Sequence, residues 1–229
     1  MDKVTVIIPV KDEEDGLRFL VENFEDSDFR KEYEIDFIFV IDGRTSDDSR
    51  NFATQLSGKI IDQRETHGKG AAIRQAVEFW KRNPTPYTVF LDADGSYSFE
   101  SVGLIVDKLV NGADVTSGSR FLSKKHRPRG MSRLHYFGNI ALSQISSVRN
   151  RRKISDLCTG LWGFNYNALN SLNIMSKGFD LEAEIVGLIR RNKLKHEEIS
   201  VSWNQRKGGT SKLNSIRDGT IILLRILRT

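Results

Sequence analysis

Two aspartates separated by one residue, Asp92 and Asp94, follow an apolar run at residues 87–91 and precede Gly95. Carboxylates in this position repel a diphosphate, unless a divalent cation is held between the two groups. Mg²⁺ and Mn²⁺ take oxygen ligands, typically one or two carboxylates together with substrate phosphates. The pair therefore predicts a site for metal-bound phosphate, and a solvated turn is the alternative.

A glycine-rich segment, His67-Gly68-Lys69-Gly70, opens a helical pattern over residues 68–80. Glycines let the backbone approach a ligand, and Lys69 would meet a phosphate at the positive end of the helix. The segment is not a P-loop, because the spacing Gly-x-x-x-x-Gly-Lys-Ser/Thr is absent. A glycine-rich turn with a solvated lysine is the alternative, and the residues alone leave both open.

Strands and helices alternate through the first half of the chain. Apolar runs predict strands at residues 4–10, 35–41, 87–91 and 114–117. Helical patterns occupy residues 12–23, 68–80 and 101–110. This alternation predicts an α/β fold with a mostly parallel, Rossmann-like sheet and helices on both faces. Ligands bind beyond the carboxyl ends of such strands, which here are residues 9–13, 42–43 and 92–94.

The second half is more basic and ends in amphipathic helices. A basic loop at residues 124–133 leads into a helical pattern over residues 133–148, and a basic cluster follows at residues 149–153. The apolar residues of that helix share one face: Leu134, Phe137, Ala141, Leu142, Ile145 and Val148. The remaining predicted elements are a helix at residues 180–191, a strand at 199–203 and an apolar helix with basic ends at 216–227.

The composition limits the classes of function. The 229 residues suffice for one large α/β domain, and no linker or repeat divides them. The net charge of +5 suits an anionic partner. The single cysteine, Cys158, excludes an internal disulfide and fits a reducing compartment. The sequence does not begin like a signal peptide and has no apolar stretch of about 20 residues, so no spanning helix is predicted.

Eight short motifs resemble glycosyltransferase family 2 in their order and spacing. Four lie in the first half: Val6-Ile7-Ile8-Pro9, Val40-Ile41-Asp42-Gly43, Gly68-Lys69-Gly70-Ala71-Ala72 and Leu91-Asp92-Ala93-Asp94-Gly95. Four more resemble dolichyl-phosphate mannose and glucose synthases: Gly118-Ser119-Arg120-Phe121, residues 156–163, residues 178–182 and residues 206–212. The resemblance covers nearly the whole chain and implies one GT-A catalytic domain over residues 1–229. Residues 1–120 would bind the nucleotide-sugar, and residues 121–229 would bind the acceptor.

The resemblance also implies roles for single residues on the donor side. The positions expected to touch the nucleobase and ribose are Pro9, Lys11, Glu13 and Asp42, the last as the base-binding acid. Lys69 is expected near the phosphates, and Lys212 near the donor. Asp92 and Asp94 match the Asp-x-Asp pair that holds the donor and the metal, so Mg²⁺ or Mn²⁺ is the expected cofactor.

On the acceptor side, Arg120 and Arg133 match arginines that hold the acceptor phosphate. Acidic positions expected near the sugar are Asp156, Glu182 and Glu184. The expected catalytic residues are Asp94, Arg120, Arg133, Asp156 and Glu182.

Three positions depart from the family pattern. The usual Asp-Asp-Gly-Ser after the second strand is Ile41-Asp42-Gly43-Arg44 here. A metal-holding glutamine of some mannose synthases is replaced near Ser96, and Lys11 replaces a common aromatic residue. Base identity is therefore left open between UDP and GDP.

The implied reaction moves a hexose from a UDP- or GDP-sugar to a polyprenyl or dolichyl monophosphate, with inversion at the anomeric carbon. The acceptor phosphate is already anionic near neutral pH and needs no strong base. The expected catalysis is therefore electrostatic and positional. If the acceptor is a sugar hydroxyl instead, a base is needed, and Asp156, Asp180 or Glu182 would serve.

Two further classes are less well supported by the sequence. A sugar nucleotidyltransferase should have a glycine-rich loop after its first strand, where this chain has residues 9–13. A nucleic-acid-binding domain rests only on the basic cluster at residues 149–153, without an accompanying motif. We therefore expect no nucleic acid partner.

A membrane surface is the expected location of the enzyme, on its cytoplasmic face. The helices at residues 133–148 and 216–227 carry apolar residues flanked by arginines, which is typical of interfacial helices. The cations expected to meet anionic lipid are Lys125, Arg127, Arg129, Arg149, Arg151 and Arg152. Packing of the first helix against its own sheet is the alternative. The sequence pattern also suggests that the natural chain continues beyond Thr229.

Overall fold

The computed structural model describes residues 1–64, 67–123, 127–128, 130–210 and 212–229. Within these ranges the chain forms seven strands and nine helices. The strands are β1 (Lys3–Val10), β2 (Glu34–Ile41), β3 (Lys59–Asp62), β4 (Tyr87–Leu91), β5 (Val115–Ser119), β6 (Leu161–Asn165) and β7 (His196–Ser200). The helices are α1 (Glu14–Phe24), α2 (Asp28–Glu32), α3 (Ser49–Gln55), α4 (Lys69–Trp80), α5 (Phe99–Val110), α6 (Arg133–Asn150), α7 (Tyr166–Ser171), α8 (Leu181–Arg191) and α9 (Arg217–Arg228). Residues of the predicted basic loop that lie outside the described ranges are Lys124, Lys125, His126 and Arg129.

The strands form one sheet in the order β3-β2-β1-β4-β6-β5-β7. Parallel pairing joins β1 to β2 and β4, β2 to β3, and β5 to β7. Only β6, among the described strands, runs antiparallel to its neighbours β4 and β5. The predicted mostly parallel sheet is confirmed, and its strands come from both halves of the chain.

Successive residues of β1 supply cores on opposite faces of the sheet, since side chains of a strand alternate in direction. Ile7 belongs to the same core cluster as Trp80 of α4 and residues of α8 and α9. Val6 and Ile8 belong to the cluster on the other face, with residues of α1 and α5. Helices therefore cover both faces, as the sequence predicts.

The predicted elements of the first half match the structure closely, while several short elements are absent from the prediction. These are α2, α3, β3, β6 and α7. The strand predicted at residues 199–203 lies instead at His196–Ser200, so its predicted bounds are wrong. Hydrogen bonding to β5 decides this boundary, because β7 pairs with all five residues from Val115 to Ser119.

The helix α6 buries its polar side and exposes its apolar side. Its buried residues are Asn139, Ser143, Ser146 and Asn150. Four of the apolar residues are exposed by 38–81%: Leu134, Phe137, Ile145 and Val148. Ordinary packing of this apolar face against the sheet is therefore contradicted for these four residues. Leu142, by contrast, packs against the core.

Candidate active site

The carboxyl ends of β1, β2 and β4 meet at one edge of the sheet, where the chain leaves a cavity of about 860 Å³. Ten of the predicted site residues line this cavity: Pro9, Lys11, Glu13, Asp42, Lys69, Asp92, Asp94, Arg120, Glu182 and Lys212. Three others, Arg133, Asp156 and Glu184, are not among its described lining residues. Binding beyond the carboxyl ends of parallel strands is the general rule for open α/β sheets.

Lys69 lies between two carboxylates at the centre of this cavity. Its Nζ is 2.7 Å from Asp92 Oδ1 and 2.7 Å from Glu182 Oε1. Burial lowers the pKa of the lysine, but the two carboxylates outweigh it, so the net pKa is raised. Burial raises the pKa of Glu182, and Lys69 opposes that shift only in part. Lys69 is therefore a fixed positive charge beside the predicted metal and phosphate site.

Backbone contacts at Gly160 and Gly70 allow this close arrangement. Asp92 N donates to Gly160 O at 3.1 Å, and a Cβ at Gly160 would lie 1.9 Å from Asp92 Oδ2. A Cβ at Gly70, in the first turn of α4, would lie 2.7 Å from Ser176 O. The glycine after Lys69 thus lets α4 approach the loop before α8, which carries Glu182.

The second aspartate, Asp94, is held by its own turn and by a distant arginine. Asp94 Oδ1 accepts hydrogen bonds from the backbone N and the hydroxyl of Ser96. Its Oδ2 lies 3.3 Å from Arg206 Nη2. Arg206 also donates to Glu13, and Lys212 Nζ lies 3.3 Å from the other oxygen of Glu13. Two cations from one loop therefore neutralise two carboxylates of the cavity.

That loop follows β7 and crosses the edge of the sheet. Asn204 N donates to Ser96 O at 2.9 Å, and Lys207 N donates to Asp94 O at 3.1 Å. Lys207 Nζ stands 4.0 Å from the centre of the Phe19 ring. Arg206 was part of a recognised motif in the sequence, but its pairing with Glu13 and Asp94 was not predicted. The pairing of Arg206 with Glu13 joins residues 193 positions apart, so a local sequence pattern gives no signal for it.

Asp42 is paired with Arg44 at the carboxyl end of β2. Arg44 donates from its backbone N and Nε to Asp42 Oδ1, and from Nη2 to Oδ2, over 2.8–3.0 Å. His67 Nδ1 lies 3.2 Å from Asp42 Oδ1. Hydrogen bonds from Arg44 lower the pKa of Asp42 to about 2, against the effect of burial. The predicted base-binding acid is therefore ionised and already partnered.

Arg120 lines the cavity, but its guanidinium is held by Asp156. Nε lies 2.6 Å from Asp156 Oδ2, and Nη2 donates to Oδ1 and to Cys158 O, each at 2.7 Å. Asn139 of α6 also donates to Asp156 Oδ1, at 2.6 Å. Asp156 is fully buried, so this residue links α6 to Arg120 instead of facing the cavity.

The other acidic candidates also differ in whether they line the cavity. Asp180 and Glu184 both pair with Arg225 of α9, at 2.6 and 3.4 Å, and neither lines the cavity among the described residues. Glu182 does line it. Of the three bases considered for a hydroxyl acceptor, only Glu182 is among the described residues that line the cavity.

The cavity lining extends from the charged residues to α6, α9 and the segments before them. The apolar lining residues there are Met131, Leu134, Leu142, Leu213 and Ile222, and polar residues such as Ser132, His135, Asn139 and Ser215 line the same part. Leu134 is 61% exposed and is one of several exposed apolar residues on α6, on α9 and directly before α9. We call these residues together the apolar helical surface: Leu134, Phe137, Ile145, Val148, Ile216, Ile221, Leu224 and Leu227.

The carboxylates of the cavity can form part of a donor set for a divalent cation. Among the described residues, no cluster of three or more His, Cys, Asp or Glu side chains is placed to hold a metal. Asp92 and Asp94 nevertheless present carboxylate oxygens to the cavity, where Lys69 and Arg206 now pair with them. Two carboxylates completed by substrate phosphates and water are a usual Mg²⁺ donor set. The residues therefore fit a metal that arrives with a diphosphate.

Comparison with solved structures identifies the fold as that of a GT-A glycosyltransferase. Glucosyl-3-phosphoglycerate synthase from Mycobacterium tuberculosis aligns over 99% of this chain and 79% of its own, with a TM-score of 0.73 and 15% identity. The model of glycosyl transferase family 2 matches residues 5–172. The chain belongs to this family and is a glycosyltransferase.

Curated relatives have related names. Glycosyltransferase AglJ from Haloferax volcanii is 28% identical over 99% of this chain and 72% of its own length. A dolichyl-phosphate beta-glucosyltransferase from Trichomonas vaginalis is 31% identical over 97% of this chain and 72% of its own length. Polyprenol monophosphomannose synthase from Mycolicibacterium smegmatis is 24% identical over 77% of this chain and 70% of its own length.

Proposed function

We propose that this glycosyltransferase moves a hexose from a UDP- or GDP-sugar to a polyprenyl or dolichyl monophosphate. The observation that supports this best is the lining of the cavity. It combines the carboxylates Asp92 and Asp94 with apolar residues of α6 and α9, and both helices carry exposed apolar side chains. Charged and apolar lining together suit an acceptor that has a phosphate and a hydrocarbon chain. The names of two relatives support the same acceptor.

On the donor side, Asp92 and Asp94 would hold Mg²⁺ or Mn²⁺ together with the diphosphate. When bound, the metal would neutralise charge on the leaving nucleoside diphosphate. A neighbouring structure of glucosyl-3-phosphoglycerate synthase contains Mn²⁺ and UDP, which supports a divalent ion here. Lys69 supplies a second, fixed positive charge, because its pKa is raised by the carboxylates on either side. Pro9, Lys11, Glu13 and Lys212 would line the nucleoside and ribose.

On the acceptor side, a phosphate oxygen forms the new bond to the anomeric carbon, and the bond from that carbon to the diphosphate breaks. Attack from the opposite face inverts the configuration. The phosphate is ionised near neutral pH and needs no general base, so the protein must hold two anions close together. Arg120 and Arg133 are proposed to bind it, with Asp156 positioning Arg120 through two hydrogen bonds.

We place the enzyme against the cytoplasmic face of a membrane, as a single catalytic domain whose two halves serve donor and acceptor. The apolar helical surface would lie in the interface, with Arg149 and Arg151 at the end of α6 near anionic head groups. Among the described residues, no helix is long and apolar enough to cross a bilayer.

The test is a donor panel with a polyprenyl monophosphate in mixed micelles. We expect transfer of labelled hexose into the organic phase with Mg²⁺ or Mn²⁺ and a UDP- or GDP-hexose. The matched control is the free polyprenol, which has the same chain without the nucleophilic phosphate. Equal transfer to both acceptors, or transfer only to soluble glycans, would reject the lipid phosphate.

A transferase that extends a glycan on a sugar hydroxyl is the second candidate. Glu182 supports it, because this carboxylate lines the cavity, where a hydroxyl acceptor would need a base, and burial raises its pKa. Transfer to soluble glycans that is lost in Glu182→Gln, without transfer to the lipid phosphate, would favour this reaction.

A further inference from the structure

At the carboxyl end of β2, the cavity is lined by an exposed arginine, Arg44, that pairs with a buried carboxylate, Asp42. Only 4% of the Asp42 side chain is exposed, whereas 54% of the Arg44 side chain is exposed. Arg44 donates from Nε to Asp42 Oδ1 at 3.0 Å and from Nη2 to Asp42 Oδ2 at 2.8 Å. Both residues line the cavity. A ligand that reaches this end therefore meets Arg44 as well as the acid.

Each of the two groups has hydrogen-bonding capacity left for a ligand. Within the described parts of the chain, the Arg44 guanidinium donates only to Asp42, which leaves Nη1 and the second Nη2 hydrogen. From the described residues, Asp42 Oδ2 accepts one hydrogen bond, from Arg44 Nη2. An ionised carboxylate only accepts and a guanidinium only donates. The pair thus offers an acceptor beside a donor, and neither can reverse its role.

We propose that Arg44 is a nucleobase-reading residue, which together with Asp42 selects a base edge that carries a ring N–H beside a carbonyl. This inference rests on the proposed nucleotide-sugar donor. The ring N–H donates to Asp42 Oδ2, and Arg44 donates to the carbonyl oxygen. Uracil offers this edge through N3–H and O4, and guanine offers it through N1–H and O6.

The matched bases of the same ring size fail at both contacts. In the position of uracil, cytosine places its amino group against Arg44 and its N3 lone pair against Asp42. Adenine does the same in the position of guanine. A site built to hydrogen-bond a group rejects an analogue that leaves buried polar groups unpaired. Asp42 alone can recognise only the ring N–H. Arg44 adds recognition of the carbonyl oxygen.

This role would account for the departure at position 44, where the family pattern has a serine. A serine hydroxyl both donates and accepts, whereas Arg44 donates only. Its planar fork holds Asp42 with one edge while the other remains for a ligand, an arrangement that lysine cannot reproduce.

The experiment measures binding of nucleoside diphosphates with Mg²⁺ by calorimetry, in the pairs UDP with CDP and GDP with ADP. We expect the wild-type chain to bind at least one of UDP and GDP about tenfold or more tightly than its partner. Arg44→Gln should reduce that preference to about threefold or less. Arg50→Gln is the matched control, because it removes the same charge as Arg44→Gln. Arg50 pairs with Asp62, and neither residue is among the described residues that line the cavity.

The outcomes separate this inference from the proposed donor. A wild-type preference that persists in Arg44→Gln, or falls equally in Arg50→Gln, overturns the role of Arg44 and leaves the donor intact. No binding of any nucleoside diphosphate overturns both. Circular dichroism checks folding, and Arg44→Met serves as a second variant if Arg44→Gln does not fold. Methionine keeps a long side chain without a donor, so an unchanged preference in that variant also overturns the inference.

Discussion

Asp94 and Asp92 stand next to cations that the protein itself provides. Lys69 holds Asp92, and Arg206 holds Asp94. A metal-bound diphosphate would take the place of these partners, with Lys69 remaining close to the phosphates.

We predict that Asp94→Ala and Asp92→Ala reduce hexose transfer to less than about a tenth of wild type while the fold survives. Removal of either carboxylate lowers the affinity for the metal-bound donor, since two carboxylates are the proposed ligands. Transfer assays at limiting Mn²⁺ measure this effect, with thermal unfolding as the check on folding. Asp36→Ala is a control, because Asp36 pairs with Lys3 at the opposite end of β2. Transfer above that level in both active-site variants would contradict the metal role.

Arg120 has a structural role, its pairing with Asp156, besides its proposed role in binding the acceptor. Asp156 is fully buried and accepts a bidentate pair from Arg120. Breaking a buried pair by removal of one partner leaves an uncompensated charge and costs about 3–5 kcal/mol. We therefore predict that Arg120→Ala lowers the free energy of unfolding by about this amount, measured by urea denaturation.

The double variant Arg120→Ala/Asp156→Ala distinguishes the two roles. Removal of both charges should restore much of the stability, because no unpaired buried carboxylate remains. Transfer to the lipid phosphate should stay low if Arg120 binds the acceptor. Recovery of both stability and transfer would show that Arg120 serves the fold alone.

Among the elements, β7 carries a partly buried histidine whose charge state bears on stability. His196 Nε2 lies 2.8 Å from Ser117 Oγ of β5, and its ring stacks on Trp162 at 5.6 Å. Burial lowers the pKa of His196 to about 3, with Arg152 acting in the same direction. The folded chain therefore keeps this histidine neutral where the unfolded chain binds a proton.

We predict that the free energy of unfolding falls by about 1.4 kcal/mol between about pH 7.5 and about pH 5.5 because of His196. The folded pKa is below the unfolded value near 6.5, so stability is complete above that value and is lost as the pH falls. Urea denaturation at both pH values measures it. His196→Gln keeps a hydrogen-bonding side chain without a charge change, and should show a correspondingly smaller fall. The same pH dependence in both chains would contradict the prediction.

The elements that could be predicted from sequence are those with a long apolar run or a clear helical period. The strands β1, β2 and β4 were predicted because continuous apolar residues bury both faces of a parallel strand. The central strand β6 was not, since Gly163 interrupts a short run. A Cβ there would lie 2.2 Å from Ile105 Cγ2, so the glycine is required by packing against α5. Such a requirement exists only in three dimensions.

The candidate site divides in the same way. Residues at strand ends, such as Asp42 and Asp92, could be predicted because topology places strand ends at one edge. The pairing of Arg206 with Glu13 was not predictable, since it depends on how the loop after β7 crosses that edge. The pairing of Asp156 with Arg120 also depends on tertiary packing. The sequence motif shows only that Asp156 resembles an acidic position of the family.

At the scale of the whole molecule, the cavity lining includes residues of the two helices that carry the exposed apolar side chains. Leu134 both lines the cavity and is exposed, and α6 contacts α9. Exposed apolar residues grouped on neighbouring helices are typical of a surface that meets a partner or a membrane. A long-chain polyprenyl phosphate stays in the bilayer, so an enzyme that uses it must present its cavity there.

We predict that the purified chain floats with anionic liposomes at low salt, because the apolar helical surface and nearby arginines bind the interface. Phe137→Ser/Val148→Ser should reduce flotation, because it removes exposed apolar side chains that would enter the interface. Arg149→Gln/Arg151→Gln should reduce flotation by removing attraction to anionic lipid. Leu104→Ser/Val110→Ser is the matched control, since it removes exposed apolar residues from α5 on another face of the sheet. Higher salt should weaken flotation of the wild-type chain and have less effect on the arginine variant. Flotation that is absent at every lipid composition, even with the acceptor present, would reject the membrane surface and favour the glycan-extending reaction.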